Sequence, residues 1–211
     1  MNNVALLMGL YPQAIYDKIV DDSITMPQYA ADALQKSFVV GISGKVQTTI
    51  INLPYVGSFP KRYRSLFVPG ENCKEFGASI RSLRYCNLTC VKNYFRIRKA
   101  FYALKEWTKE NPKNRTIVIY AIHLPFLIAA TKLKKLVPEL KLIQIVPDLP
   151  EFMNSKPSRL QSMSYRKLSD YYSAIDGWIL LSKYMADKLN ITEKPWRVIE
   201  GIYNPMDTPI N

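Results

Sequence analysis

Thr116-Ile117-Val118-Ile119-Tyr120 (TIVIY) and, twenty-odd residues later, Lys141-Leu142-Ile143-Gln144-Ile145-Val146 (KLIQIV) decide the fold class. Each is a short, β-rich apolar run, as expected of a parallel strand covered on both faces. Between them Pro125–Val137 reads as a helix, with its proline tolerated in the first turn. Gly177–Leu181 (GWILL) reads as a further strand, Lys183–Leu189 as a helix and Trp196–Ile199 as a last short strand. Strand–helix–strand alternation through 115–200 implies right-handed crossovers and a parallel sheet. The expected fold is α/β, a Rossmann-like, mostly parallel sheet with helices on both faces.

Working toward the amino terminus, Val4–Leu10 reads as a buried first strand and Pro27–Ser37 as helical. Val46–Leu53 is β-branched and stops at Pro54, so a strand is expected there. Pro54, Gly57, Pro60, Pro69 and Gly70 punctuate a long irregular region around a short strand at Ser65–Val68, and Ser82–Leu88 suggests another. Lys92–Glu110 reads as a helix ended by Asn111-Pro112. On it Tyr94, Ile97, Phe101 and Leu104 share one face, taken as the core side, with Lys92, Arg96 and Lys99 nearly opposite. Ser158–Tyr172 reads as a polar helix.

The chain has 211 residues and a formal net charge of +12. The excess is local: residues 61–115 hold 14 of the 29 basic residues but 4 of the 17 acidic ones. Ordinary apolar content excludes disordered and collagen-like classes. Three cysteines, Cys73, Cys86 and Cys90, without paired metal spacing and with one distant histidine, point to no disulfide framework and no metal site. Val4–Leu10 lacks the charged flank of a secretory signal, and Ile117–Ala130 falls short of a membrane span. A cytoplasmic protein is expected. The basic segment, with Tyr85, Tyr94, Phe95, Phe101, Tyr102 and Trp107 interleaved, equally suits a solvated face, an anionic membrane surface or, less well, single-stranded nucleic acid. Lys92, Arg96 and Lys99 are the expected membrane-facing cations.

Ligands of an open parallel sheet bind at the carboxyl ends of its strands. Those ends carry Gly9-Leu10-Tyr11-Pro12, then Ala121-Ile122-His123, then Pro147-Asp148-Leu149-Pro150-Glu151, then Glu200-Gly201. His123, two residues before a helix-opening proline, can cap that helix or face a ligand. Asp148, between prolines, can form a turn or present a fixed carboxylate. Glu151 on such a loop more often meets solvent, and Glu200 more often caps or pairs with a neighbour. No dinucleotide fingerprint, P-loop or nucleophile elbow is present.

The run Val118–Phe126, the segment Ile145-Val146-Pro147-Asp148-Leu149-Pro150-Glu151-Phe152-Met153, then Asp176–Ala186 and Val198–Gly201 follow one another in order. Together they resemble the amino-terminal half of bacterial GT-B glycosyltransferases of the family-4 type, which build surface polysaccharides such as capsule. The resemblance implies a retaining transfer of sugar from a nucleotide-activated donor to a glycan or lipid-linked acceptor. Residues 1–203 would be the acceptor-side domain and 204–211 the start of an interdomain linker. A donor-binding domain outside this chain, in cis or in trans, would hold the nucleotide sugar, and this half alone would be inactive. No other cofactor is implied. Asp148 and His123 are the expected catalytic positions, acting by positioning or polarising. Gly9, Tyr11, Glu151 and Glu200 are expected at the acceptor, with the basic helix docked on the inner face of a membrane. The alternative is a stand-alone basic α/β domain that binds nucleic acid.

Overall fold

The computed structural model describes residues 3–149 and 168–200. Of the expected helix at 158–172 only residues 168–172 are among them, where Ser169–Ala174 forms a 3-10 turn, and Glu151 and the expected linker at 204–211 lie outside them entirely. The described elements are β1 (Asn3–Met8), α1 (Gln13–Asp22), α2 (Tyr29–Ser43), β2 (Gln47–Asn52), β3 (Phe67–Val68), β4 (Asn72–Glu75), β5 (Ala78–Ser82) and β6 (Tyr85–Cys86). They continue with α3 (Lys92–Glu110), β7 (Arg115–Tyr120), α4 (Leu124–Leu136), β8 (Lys141–Val146), a 3-10 turn (Ser169–Ala174), β9 (Gly177–Leu180), α5 (Tyr184–Lys188) and β10 (Trp196–Val198).

The main sheet runs β10-β9-β8-β7-β1-β2-β5-β4. Every pairing in it is parallel except β4 against β5. The α/β, mostly parallel architecture is thus as expected. The chain starts in the middle with β1, moves out to β2, forms the edge strand β4, turns back into β5 beside β2, and returns through α3 to β7 on the other side of β1. That reversal makes the gap between β1 and β7 the topological switch point, where the connecting loops diverge and leave a crevice.

Two apolar layers sandwich the sheet. One gathers Ala5, Leu7, Ile51, Ile117 and Ile119 with buried residues of α3, α4 and α5. The other gathers Leu6, Met8, Ile50, Val118 and Ile145 with Val39 and half-buried residues of α2. Alternate residues of β1 thus feed opposite layers, as the period of two requires.

Three features depart from expectation. Helix α1 forms on only three inward residues, Ile15, Ile19 and Asp22. Asn72–Ser82 is a hairpin and not irregular: Phe76 and Gly77 turn it with φ of 55° and 73°, the left-handed pair that matches strand twist. Helix α3 has the expected span but a different inward face. It buries Lys92, Arg96, Ala100, Ala103, Leu104, Trp107 and Thr108, whereas Tyr94 is 55% exposed. The reason is packing distance. Ala100 and Ala103 share a core with Ala129 and Ala130 of α4, and small residues let two helix backbones approach closely. Tyr94 and Tyr102 stay outside, with the Arg98 guanidinium over both rings at 5.6 and 5.7 Å and donating to the Tyr94 hydroxyl. Lys92 and Arg96 therefore cannot be membrane-facing cations; Lys99 is exposed.

The two faces of α3 are separable by denaturant unfolding. Ala100→Leu overpacks the interface and is expected to cost about 1–3 kcal/mol. Tyr94→Ala is expected to change stability by less than about 1 kcal/mol. The reverse order would return the aromatic face to the core.

Candidate functional site

The switch point is shaped by the loop that follows β2. This strand ends at Asn52, and Leu53-Pro54-Tyr55-Val56-Gly57 then crosses the carboxyl edge with no neighbouring strand to receive its carbonyls. Each of the five is met by a side chain from elsewhere. Arg96 Nη2 donates to Leu53 O at 2.9 Å and the Tyr85 hydroxyl to Pro54 O at 2.8 Å. The Tyr11 hydroxyl donates to Tyr55 O, Lys92 Nζ to Val56 O, and Asn87 Nδ2 to Gly57 O at 2.8 Å. Buried carbonyls require such partners. The loop is consequently a strap tied to α3, β6 and the β1 loop at once.

Tyr55 is the strap's working side chain. Its hydroxyl donates to Tyr120 O at 2.8 Å, at the end of β7, and its ring spans the crevice from β1 to β7. A Cβ on Gly9 would lie 2.5 Å from that ring, so position 9 admits only glycine. The Gly9 amide donates to Gln35 Oε1 at 2.8 Å and the Tyr11 amide to Asp32 Oδ1 at 2.6 Å, which pins the β1 loop to α2. Tyr11 is buried, and burial pushes its phenol up to about 12. Gly9 and Tyr11 thus build the crevice wall from behind.

His123 occupies the N-cap position of α4, held there by its backbone; its side chain does not cap the helix. Preceding it, Ala121 adopts φ of 60° at the end of β7, a strained conformation for a residue with a Cβ. The half-buried imidazole packs against Tyr55 and Phe126, with ring centroids 5.4 and 4.7 Å away. Arg96 Nη1 is 3.0 Å from Nε2. A guanidinium can only donate, so Nε2 accepts and the ring proton sits on Nδ1. Nδ1 has no hydrogen-bond partner. Desolvation, then the charges of Arg96 and Lys92, hold the imidazole well below its ordinary pKa. The ring is a neutral donor with its basic lone pair already taken.

Arg96 is 3% exposed and lies beneath the faces of Tyr55, Tyr85 and Phe126, 5.1–5.5 Å from each centroid. Lys92 is 9% exposed. Burial, then Arg96 and Arg62, lower its ammonium to about 7. Neither cation forms an ion pair with any described residue.

Asp148 is exposed on the loop after β8. It lies close enough to Tyr120 to add to the burial that raises that phenol's pKa. Tyr120 belongs to the α2-side layer, whereas the His123 ring packs on Phe126 of the α4-side layer. The two expected catalytic residues are therefore at the same sheet edge but do not form a pair. Glu200 is exposed beyond β10, with β8 and β9 between its strand and β7. Sequence reasoning missed Tyr55 and Gln35, took Tyr85 only as one of the interleaved aromatics, and misread Arg96 and Lys92. Leu53-Pro54-Tyr55 could have been found by the strand-end rule that found His123, because it follows β2 directly.

No family model and no curated protein sequence matches the chain. Solved structures do. A sucrose-phosphate synthase from Thermosynechococcus elongatus superposes with a TM-score of 0.54 at 10% identity, covering 94% of this chain and 48% of that one. UGT2 of Phytolacca americana, solved with UDP-2fluoro-glucose and pterostilbene, gives 0.54 at 7% identity, covering 97% of this chain and 55% of that one. The chain spans about half the length of either. At such identity the likeness is one of fold: the chain has the α/β architecture found within GT-B glycosyltransferases. Among the described residues, no helix is long and apolar enough to cross a membrane.

Two titrations check the site. His123 is the only histidine, so its ring resonances are unambiguous. They are expected to stay fixed from pH 8 to about 5.5, and a midpoint near the ordinary value of about 6.5 would refute the buried tautomer. Lys92 gives up its proton near 7 when folded but near about 10.4 when unfolded. Between those values the unfolded chain binds more protons, so this group makes stability rise with pH across that window. Lys92→Met is expected to flatten that rise in denaturant melts collected from pH 7 to 10.

Proposed function

We propose that the chain is the acceptor-side half of a retaining glycosyltransferase, which moves a sugar from a nucleotide-sugar donor to a surface-polysaccharide or lipid-linked glycan acceptor. The observation that carries this reading is the meeting of side chains at the switch point between β1 and β7. Tyr55, Gly9 and His123 meet there at the carboxyl edge of a fold shared with GT-B glycosyltransferases. The donor diphosphate is assigned to a second domain, in cis or in trans, and this half shapes the acceptor site.

Glycosyl transfer builds positive charge on the sugar and negative charge on the leaving diphosphate. A retaining reaction does not demand a protein base on the acceptor hydroxyl. His123 suits that requirement. With Nε2 engaged by Arg96 and the proton on Nδ1, which is itself buried and without a partner, it is poorly suited to accept a proton and would donate only to a hydroxyl that reaches in beside the strap. Asp148 contributes an exposed carboxylate from the neighbouring loop. The outward basic face of α3, now Arg98 and Lys99, is the part that suits an anionic membrane surface.

The test has two stages. The isolated chain, offered UDP-, GDP- and dTDP-sugars, is expected to show no turnover. Assembled with a GT-B donor-binding domain it is expected to transfer sugar with the anomeric configuration retained, read by NMR of the product. In that assembly His123→Ala is expected to lower kcat by about tenfold to a hundredfold, the loss typical of one polar contact at a reacting centre. Turnover by the isolated chain, or an inverted product, would overturn the division of labour.

A further inference from the structure

The strap leaves a surplus of charge. A carbonyl needs only a donor, and three of the five are satisfied by neutral ones, from Tyr85, Tyr11 and Asn87. The other two are satisfied by Arg96 and Lys92, both more than nine-tenths buried. Burying a charge is costly unless it is compensated. For Arg96, three aromatic faces supply compensation. Lys92 has no aromatic face and no carboxylate among the described residues. The charged groups that act on it, Arg96 and Arg62, are both cations. Holding Val56 O does not explain an ammonium in that position, because an amide would hold it as well.

Three cations thus converge beside the crevice with no anion among them. Arg62 is exposed and packs on Gly57, at the far end of the strap. Arg96 is at the inner end, with Nε lacking any hydrogen-bond partner. Lys92 lies within electrostatic reach of both and keeps two N–H bonds beyond the one given to Val56 O. We infer that Arg62, Lys92 and Arg96 line a subsite for an oxyanion, a carboxylate or phosphate group carried by the acceptor. This rests on reading the β1–β7 edge as the acceptor cleft. It adds that the acceptor is acidic, a uronic-acid-bearing or phosphorylated glycan. A bound oxyanion would supply the countercharge that Lys92 lacks and hold it as an ammonium above neutral pH.

The experiment uses the whole chain and needs no sugar transfer, so its failure is distinct from failure of the glycosyltransferase reading. Inorganic phosphate and glucuronate are titrated at constant chloride-balanced ionic strength, with glucose as the uncharged control, and the lysine side-chain resonances are followed. Saturable binding of phosphate or glucuronate, and none of glucose, is expected. The preferred anion identifies the acceptor's acidic group. Lys92→Gln keeps a donor for Val56 O and removes only the charge. It is expected to weaken anion binding by about tenfold or more, the loss typical of one charged hydrogen bond, while leaving the melting temperature no lower. Arg62→Ala, at an exposed position, is expected to weaken it as well and supplies the answer should Lys92→Gln fail to fold. No saturable binding of either anion, or affinity unchanged in these variants, would overturn the proposal. An acidic subsite that binds while the assembled enzyme transfers no sugar would refute the transfer reading alone.

Discussion

Five successive carbonyls, Leu53 through Gly57, leave the sheet together and must be hydrogen-bonded without a strand to bond to. That requirement organises the crevice. Tyr11 comes from the β1 loop, Tyr85 from β6, Asn87 from the segment just after it, and Lys92 and Arg96 from α3. Because the donors sit on separate elements, the loop can be satisfied only when those elements are all in place. Tyr55 inherits a fixed position and passes it on, through Tyr120 O to β7, by van der Waals contact to Gly9, and by ring packing to His123 and Phe126. Unsatisfied buried carbonyls cost roughly 1–3 kcal/mol each, so a strap with several broken ties would forfeit much of a domain's net stability.

The same requirement explains why two cations turn inward. Helix α3 presents Lys92, Arg96, Ala100 and Ala103 to the sheet and α4. The long basic side chains reach over the sheet edge to the strap, and the alanines allow α3 and α4 to approach. Once inside, Arg96 takes the Nε2 lone pair of His123 and leaves a neutral imidazole with its proton on Nδ1. A residue that sequence placed at the rim as a potential acid or base thereby becomes a directed donor. The surplus charge at Lys92 has no structural need behind it, and an acidic ligand is the group that would supply one.

The sheet was legible because burial on both faces leaves strands such as TIVIY and KLIQIV almost wholly apolar, the one buried amide, Gln144, donating to Ile119 O and Ile145 O. The observed β7 and β8 begin and end within a residue of those runs. Length and the terminal Asn111-Pro112 marked the extent of α3 equally well. Its orientation was not legible. Burial of area favours a large aromatic ring over alanine and either over arginine, yet the close α3–α4 contact selects alanines and the strap selects cations. Helix α1 went unread because three inward residues over ten make a weak stripe. The β4–β5 hairpin went unread because Phe76-Gly77 is an uncommon way of writing a left-handed turn.

Sequence by itself determined the α/β class, the position of the parallel strands and the presence of His123, Asp148 and Gly9 at their carboxyl ends, because strand burial and strand-end geometry follow from local patterns. Tertiary structure alone decided which of those residues meet. It set His123 against Arg96 and Tyr55, placed Asp148 within electrostatic reach of Tyr120, and drew Lys92 and Arg96 under the loop after β2. The physical reason is that a carbonyl's partner is chosen by whichever donor the fold carries within about 3 Å, and the donors here stand 30 to 44 positions away along the chain.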